Sequence, residues 1–471
     1  MELSQQLFAG TGRCDITPAP GTPQGGWGAQ IHQRGIGADM PFYATALVLD
    51  CGEERVAIVE VDAIGFDREW TERILAAIIE LTGFPRERIR FSCSHTHSGP
   101  NTFRLATITE GLDMVLSYLD SLPRRIASAV WQAQQNLKPV RVAAGKGSCD
   151  INVSRRFRAP DGSMVVGRNW NGPANHTVGV IRFDDLDENA LATLLHYACH
   201  GTTMGWQTQL FTPDFPGPAR EVVERELGGR CLFLQGATAD LTPRRGFTGD
   251  CRVYRKLGTI LGLEAARVAW NLETLPREER FLGVQPSGAP IALYDDIAVE
   301  RGPQQLRVVQ RIIHLPAKKF RPPDELEAEA AALRAGMNRL RKDGTPDEIR
   351  AATAKATQAG WRAEYSRNFY GQDTIPWELM AIVIGPSIAL VSVPGEPFTE
   401  TAQAIAAQSP FPHTLLSGYS NGGFGYIPTR QAFAEGGYET EATPFSESAA
   451  EALTEEAVRL LREIAADLAD R

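Results

Sequence analysis

Residues 43–61 have the sequence YATALVLDCGEERVAIVEV, in which two apolar runs rich in β-branched residues flank a polar turn at Gly52, Glu53 and Glu54. Two runs of strand length joined by a short polar turn are typical of a β-hairpin. Because both runs are largely apolar, we expect this hairpin to lie in a core sheet.

Two β-α-β passages are predicted after the hairpin. Helical periodicity over residues 71–81 is followed by RIRFSCSHTH at residues 88–97, which predicts a strand that runs into a loop. ALATLLHYACH at residues 190–200 predicts another strand, and a helix over roughly residues 216–227 separates it from the strand RCLFLQ at residues 230–235. This alternation predicts a mixed α/β fold with layered central β-sheets flanked by helices.

Residues 322–368 depart from this alternation, because two charged amphipathic helical patterns are joined there by a turn at Asp343 and Gly344. We predict a helical hairpin inserted into a single domain over residues 1–471, since the sequence contains no internal repeat, low-complexity tract or obvious linker. The periodicity leaves open whether the hairpin covers a site or decorates the surface, and we favour decoration.

Composition and charge narrow the classes of partner. The 471 residues are 43% hydrophobic and 22% charged, which is typical of a globular chain. The 48 Lys and Arg residues against 57 Asp and Glu residues give a formal net charge of -9, which does not favour nucleic acid. Residues 1–21 lack a secretory signal pattern, and no apolar run reaches the ~18 residues of a transmembrane segment. We therefore expect a cytoplasmic protein.

Two histidines follow the strand predicted near residues 88–97. Alternate side chains of an extended chain share a face, so His95 and His97 would point the same way as Ile89 and Phe91. A neutral imidazole is a good zinc ligand, and two on one face can serve as a ligand and a proton-transfer group. The alternative is that both imidazoles only form hydrogen bonds at the strand end.

Three further residues could belong to the same site. His200 ends a predicted strand at the strand-to-loop boundary where α/β proteins place their sites, whereas His196 has core-like neighbours. Glu396 follows a Val-Pro-Gly turn, and Tyr426 follows a glycine-rich segment. Taken singly, Glu396 could cap a helix and Tyr426 could be a core aromatic. The seven cysteines include no C-x-x-C pair, so other residue types would mainly hold any metal.

Six short motifs, in this order, resemble the catalytic domain of the neutral, non-lysosomal ceramidases along nearly the whole chain. They are GRCDITPAPG (12–21), SHTHSGP (94–100), ACHGTTM (198–204), LQGATADLTPR (234–244), VPGEPFTE (393–400) and GYSNGGFGYI (418–427), the last followed by GGYE (436–439). None is specific by itself, but their common order makes chance agreement improbable. The resemblance implies one ceramidase-like catalytic domain over residues 1–471.

The resemblance also implies a set of metal ligands. Zinc would be held by His95, His200, Glu396 and Tyr426. His97 would lie beside the metal as a proton-transfer or substrate-orienting group.

Four other residues are implied to act on the substrate or to lie in the active site. The family has an arginine near the substrate oxygen, which here is Arg155 or Arg156, because INVSRR does not align cleanly with the family's I-N-R. Tyr438 matches a second active-site tyrosine, a candidate hydrogen-bond donor to the reacting carbonyl. Thr242 stands where the family has a serine with an active-site role, and its hydroxyl could keep the hydrogen bond.

The implied activity is zinc-dependent cleavage of an amide (N-acyl) bond by a metal-activated water. The substrate would be a small-molecule or lipid-like N-acyl compound. We expect no carboxy-terminal β-sandwich of the kind that true ceramidases have, so the resemblance supports the type of reaction more strongly than the identity of the substrate. The alternatives are a zinc-dependent ester, lactone or phosphoester hydrolase acting on a small non-lipid metabolite, and a non-catalytic metabolite-binding pseudoenzyme. A homo-oligomer is compatible with the sequence.

Overall fold

A computed structural model describes residues 6–470 except positions 53, 104, 106–107, 300–303 and 424, so Glu53 of the predicted turn lies outside the described residues. The helices of the described residues are α1 (Arg68–Thr82), α2 (Leu112–Gln135), α3 (Pro216–Leu227), α4 (Cys251–Trp270), α5 (Pro323–Asp343), α6 (Pro346–Phe369), α7 (Thr399–Gln408), α8 (Arg430–Glu435), α9 (Tyr438–Glu441) and α10 (Ala449–Ala469). The strands are β1 (Phe8–Asp15), β2 (Gly37–Ala38), β3 (Tyr43–Cys51), β4 (Glu54–Val61), β5 (Ile89–Cys93), β6 (Lys138–Ser148), β7 (Asn152–Arg158), β8 (Met164–Asn169), β9 (Thr177–Asp185), β10 (Ala190–Tyr197), β11 (Leu210–Phe211), β12 (Arg230–Gln235), β13 (Leu241–Pro243), β14 (Arg277–Gln285), β15 (Ile291–Ala298), β16 (Leu306–Pro316), β17 (Thr374–Ile384), β18 (Ile388–Ser392), β19 (Glu396–Pro397), β20 (His413–Ser417) and β21 (Tyr426–Ile427).

The main sheet has eight strands in the order β12-β10-β9-β6-β1-β3-β4-β5, and only two residue pairs join its halves between β1 and β6. The two four-stranded halves pack against each other, because Leu47 and Ile58 of one half share a core cluster with Phe183 and Leu232 of the other. The predicted mixed α/β fold with layered sheets is confirmed.

The predicted hairpin is formed by β3 and β4, which pair antiparallel from Ala44 opposite Val61 to Cys51 opposite Glu54. Successive side chains of a strand point to opposite faces of the sheet. Ala46 of β3 accordingly belongs to the core under α1 and α2, whereas Leu47 belongs to the core between the two halves. The near-continuous apolar run reflects a strand that is buried on both faces.

Both predicted β-α-β passages are present. Strands β4 and β5 are parallel neighbours connected through α1, and β10 and β12 are parallel neighbours connected through α3. The loops that follow β5 and β10 meet in a parallel bridge between Thr96 and Gly201. Residues that follow two strands distant along the chain are therefore brought to one edge of the sheets.

A second sheet, β16-β17-β18-β20, lies beside the eight-stranded one. One face shares the central core, and the other packs on α7 and α10. The helices α5 and α6 are joined by Gly344 and Thr345 and pack on each other through Leu326 and Ala359. No helix of the described residues combines the length and the apolar character needed to cross a membrane.

His196 is a structural residue within this core. It lies in β10, and its Nε2 donates a hydrogen bond of 2.8 Å to the carbonyl oxygen of Leu416 in β20. Burial lowers the pKa of His196 to about 4. The native imidazole therefore stays neutral at pH values where the imidazole of the unfolded chain, with a pKa of about 6.5, takes up a proton.

We predict that His196 contributes to loss of stability in acid. Because the native pKa is depressed, the free energy of unfolding falls as the pH drops from about 6.5 towards 4. In urea unfolding, the free energy of the His196→Phe variant should fall by about 2 kcal/mol less than that of the wild type between about pH 7 and pH 5. Parallel pH curves for the two proteins would contradict this assignment.

Candidate metal centre

Three histidines converge at the sheet edge where the loops after β5 and β10 meet. His95 and His97 follow β5, and His200 follows β10. The ring centroids of His95 lie 4.9 Å from those of both His97 and His200. One ligand atom from each of the three histidines lies within 4.8 Å of the other two. This is close enough for a single ion to be shared.

The orientation of each ring is fixed by the protein backbone. The Nδ1 atoms of His95, His97 and His200 lie 2.6, 2.8 and 2.7 Å from the carbonyl oxygens of Ile64, Gly26 and Thr238, respectively. A carbonyl oxygen only accepts a hydrogen bond, so each Nδ1 carries the proton and each neutral ring has its lone pair on Nε2.

The three Nε2 lone pairs face one another. The Nε2 atoms of His95 and His97 are 3.2 Å apart. Burial lowers the pKa of His95 and of His200 well below the ordinary value, which keeps both rings neutral. Two lone pairs at this separation repel each other unless a proton or a cation lies between them. The geometry therefore fits a metal ion, and His97 has the same donor arrangement as the two histidines predicted as ligands.

A short parallel strand pair places Glu396 beside this cluster and Tyr426 next to Glu396. Strands β19 and β21 place Glu396 directly opposite Tyr426. A carboxylate oxygen of Glu396 lies 3.4 Å from Nε2 of His200. Burial, followed by the Glu396 carboxylate, raises the pKa of Tyr426 well above its ordinary range. Without a cation nearby, Tyr426 is therefore a neutral phenol.

Tyr419 also lies at the site, although the sequence patterns did not predict it. Its ring lies 4.1 Å from the His95 ring at an interplanar angle of 32°. Its hydroxyl donates to Oε2 of Glu396 at 3.1 Å and lies 2.6 Å from the hydroxyl of Thr238. Tyr419 has a φ of 58°, which is rare for a large side chain. That backbone conformation, which orients the ring, has no signature in a single sequence.

Of the two candidate arginines, Arg155 contacts the histidine cluster and Arg156 does not. Nη1 of Arg155 lies 2.9 Å from Nε2 of His200, and its buried Nη2 has no hydrogen-bond partner among the described residues. Arg156 instead bonds Glu435, Glu439 and the carbonyl oxygen of Gly436. The pairing of β7 with β8 shifts register next to Arg155, which explains why the sequence left the choice open.

Arg155 and a metal ion would compete for one lone pair. The Arg155 N–H donates to Nε2 of His200, which is the atom that a metal would use. Metal binding at His200 would therefore redirect this N–H. A second donor of Arg155 is already without a partner, so the redirected guanidinium would offer N–H groups to a ligand beside the metal.

Glu439 holds Arg155 in this position, and the sequence patterns did not predict this role either. Its two carboxylate oxygens accept hydrogen bonds of 2.8 Å from Nε of Arg155 and from Nη1 of Arg156. All three side chains are more than nine-tenths buried. A bridged pair of this kind restricts the rotation of both guanidinium groups.

Tyr438 lies at the margin of the cluster. Its ring is 5.4 Å from that of Tyr426 and 5.7 Å from that of Trp361 in α6. The helical hairpin thus contacts Tyr438 through Trp361.

Thr242 is buried, but its described hydrogen bond does not reach the histidines. It lies in β13 opposite Val153 of β7, the strand that carries Arg155. Its hydroxyl is 3.4 Å from the hydroxyl of Thr202. Thr242 therefore supports the strand that presents Arg155 and the loop that follows His200.

Three half-buried aromatic residues form a cluster that contacts His97 through Trp27. The Trp27 ring is 5.2 Å from the His97 ring. The rings of Phe247 and Trp206 pack edge-on against the Trp27 ring, at 5.5 and 6.1 Å. Nε1 of Trp27 is buried without a hydrogen-bond partner among the described residues. The three aromatic residues come from three separate loops, so no local sequence pattern could have grouped them.

Residues 418–422, GYSNG, match the G-x-S-x-G pattern of serine hydrolases, in which a strand turns sharply into a helix to expose the serine. Here β20 continues into a loop, and the hydroxyl of buried Ser420 donates to the carbonyl oxygen of Gly418. The geometry of a nucleophilic serine is not present at this segment.

Comparison with known proteins identifies relatives. A family model described as neutral/alkaline non-lysosomal ceramidase, N-terminal, matches residues 8–242. The chain is 28% identical to a neutral ceramidase of Drosophila pseudoobscura pseudoobscura, over 46% of this chain and 32% of that protein. It is 23% identical to neutral ceramidase B of Dictyostelium discoideum, over 93% of this chain and 69% of that protein. A crystal structure of neutral ceramidase from Pseudomonas aeruginosa superimposes with a TM-score of 0.68 at 18% identity, covering 96% of this chain and 74% of that one.

The fold and the histidine cluster define a layered α/β protein with a candidate metal centre. The chain belongs to the neutral/alkaline non-lysosomal ceramidase family. It spans about a third of the length of the Drosophila neutral ceramidases that it matches.

We predict that His200→Ala removes bound metal. The substitution deletes one of three converging imidazole donors, so the purified variant should lose most of the metal that the wild type carries at about one ion per chain. Inductively coupled plasma mass spectrometry of dialysed protein measures this content. His413→Ala is the control, because His413 begins β20 and lies outside the cluster. Equal metal content in the two variants would contradict the assignment.

Proposed function

We propose that this chain is a zinc-dependent hydrolase that cleaves the amide bond of an N-acyl substrate. The observation that carries the proposal is the convergence of the Nε2 lone pairs of His95, His97 and His200 beside the carboxylate of Glu396. Family membership supports an amide as the scissile bond, since the relatives are named neutral ceramidases.

The types of donor atom favour zinc. Imidazole nitrogens combined with a carboxylate suit Zn²⁺, whereas Mg²⁺ and Ca²⁺ prefer sites built from oxygen. We assign His95, His200, Glu396 and Tyr426 as the ligands, and a bound cation would favour the phenolate form of Tyr426.

When bound, zinc supplies a Lewis acid that polarises a carbonyl and lowers the pKa of a water molecule to about 7. His97 holds its Nδ1 proton on the carbonyl oxygen of Gly26, so its Nε2 can accept a proton from the attacking water and pass it to the leaving nitrogen. We assign the guanidinium of Arg155 and the hydroxyl of Tyr438 to the oxygen that gains negative charge. Trp27, Trp206 and Phe247 support a substrate with an apolar group next to His97.

We predict that activity on N-acyl amides depends on a removable metal. Hydrolysis of a panel of N-acyl, ester and phosphate substrates should be fastest for an N-acyl amide, should stop after chelation, and should return when zinc is added back. If the ester or the phosphate is hydrolysed fastest, then that bond, and not the amide, is the one that this chain cleaves. A chain that binds metal and hydrolyses none of the panel would favour a non-catalytic binding protein.

We predict that Glu439 is a positioning residue for Arg155. Glu439→Gln removes the charge that fixes the guanidinium, so kcat should fall by about 10²-fold with a smaller change in KM, while Glu439→Asp should retain more activity. Glu435→Gln is the matched control, because Glu435 pairs with Arg156 and not with Arg155. Similar kcat values for the Glu435 and Glu439 variants, or an equal loss of folded protein by circular dichroism, would mean that Glu439 is only structural.

A further inference from the structure

Strands β14 and β15 form a two-stranded arm, which we define as residues 277–298. Within the described residues, these strands pair only with each other. The arm is held at its base by an ion pair between Arg277 and Glu188. An isolated two-stranded hairpin is marginally stable in water, so an arm of this kind is expected to need a partner surface.

The arm exposes an unusual amount of apolar surface. Phe281 and Tyr294, which pack on each other, are 59% and 56% exposed. Five further apolar side chains of the arm are also exposed, namely Leu282, Val284, Ile291, Leu293 and Ile297. Together they present on the order of 600 Å² of apolar surface, against about 800 Å² that each partner buries in a standard interface.

The two edges of the arm differ. The β14 edge is interrupted by a bulge between Phe281 and Gly283 and carries four charged residues at 277–280, features that block edge-to-edge pairing. The β15 edge, IALYDDIA, has no bulge in its own strand, no proline and no basic residue. Its outward N–H and C=O groups are therefore available to pair with another strand.

The charge of the arm argues against an anionic lipid surface. Arg277 and Arg280 against Glu278, Glu279, Asp295 and Asp296 give two positive and four negative charges, or a net charge of −2. The whole chain has a formal net charge of -9, which anionic lipids would repel. If β15 pairs with β15 of a second copy about a two-fold axis, the same self-complementary edge supplies hydrogen-bond partners to the backbone groups of both copies.

We propose that β15 pairs antiparallel with β15 of a second copy, which joins the two arms into a four-stranded sheet in a homodimer. A two-fold axis near Leu293 sets Asp295 of each copy opposite Ile291 of the other. This register keeps the aspartates of the two copies apart, so no like charges face each other. The proposal does not depend on the catalytic assignment, because the arm contains none of the site residues.

Light scattering coupled to size exclusion, with the full chain at about 1–50 μM, tests the proposal. The wild type is expected to be a dimer. The double variant Leu293→Lys, Tyr294→Lys, which places positive charges on both faces at the axis, should be a folded monomer. Ile312→Lys is the matched control, since Ile312 is an equally exposed strand residue outside the arm, and it should remain a dimer.

Cross-linking gives a second measurement on folded protein. A Leu293→Cys variant should form an intermolecular disulfide under mild oxidation, because the two copies of residue 293 face each other at the axis. A monomeric wild type, a dimer that survives the double lysine substitution, or the absence of this cross-link would each overturn the proposal. Binding of a monomeric wild type to phosphatidylcholine vesicles, lost in the double variant, would identify the arm as a lipid-binding element instead.

Discussion

The site depends on three hydrogen bonds in which the Nδ1–H groups of His95, His97 and His200 donate to backbone carbonyl oxygens. These bonds fix the tautomer and the direction of each ring, and they leave the lone pair of each ring on Nε2. Burial keeps His95 and His200 neutral and so preserves those lone pairs. A cation relieves the repulsion that this arrangement creates.

The layered sheets make this arrangement rigid. The carbonyl acceptors belong to chain segments that pack against the strand ends, as Ile64 does just after β4 and Thr238 does just after β12. The bridge between Thr96 and Gly201 ties the two histidine loops to each other. Around this frame, buried Glu439 fixes Arg155 through an ion pair. The three histidines and the arginine are therefore positioned by separate contacts.

Much of the fold could be predicted, because the hairpin β3–β4 and the two β-α-β passages are encoded by local patterns of apolar residues. The three histidines could be found for a related reason, since each follows a predicted strand at the sheet edge. Tyr419, Glu439 and Trp27 could not be found in this way. Glu439 meets Arg155 across 284 residues of sequence, and the position of Tyr419 over His95 requires a left-handed backbone conformation. Contacts of this kind exist only after the core has folded.

The central claim is that one zinc ion is shared by residues from both histidine loops and from the β19–β21 pair. X-ray diffraction from crystals of the purified chain, collected above and below the zinc absorption edge, tests it most directly. The account predicts a single strong anomalous peak about 2.0–2.2 Å from Nε2 of His95 and of His200 and from a carboxylate oxygen of Glu396. A crystal grown with zinc that shows no peak at this position, or a peak bound by other residues, would contradict the account.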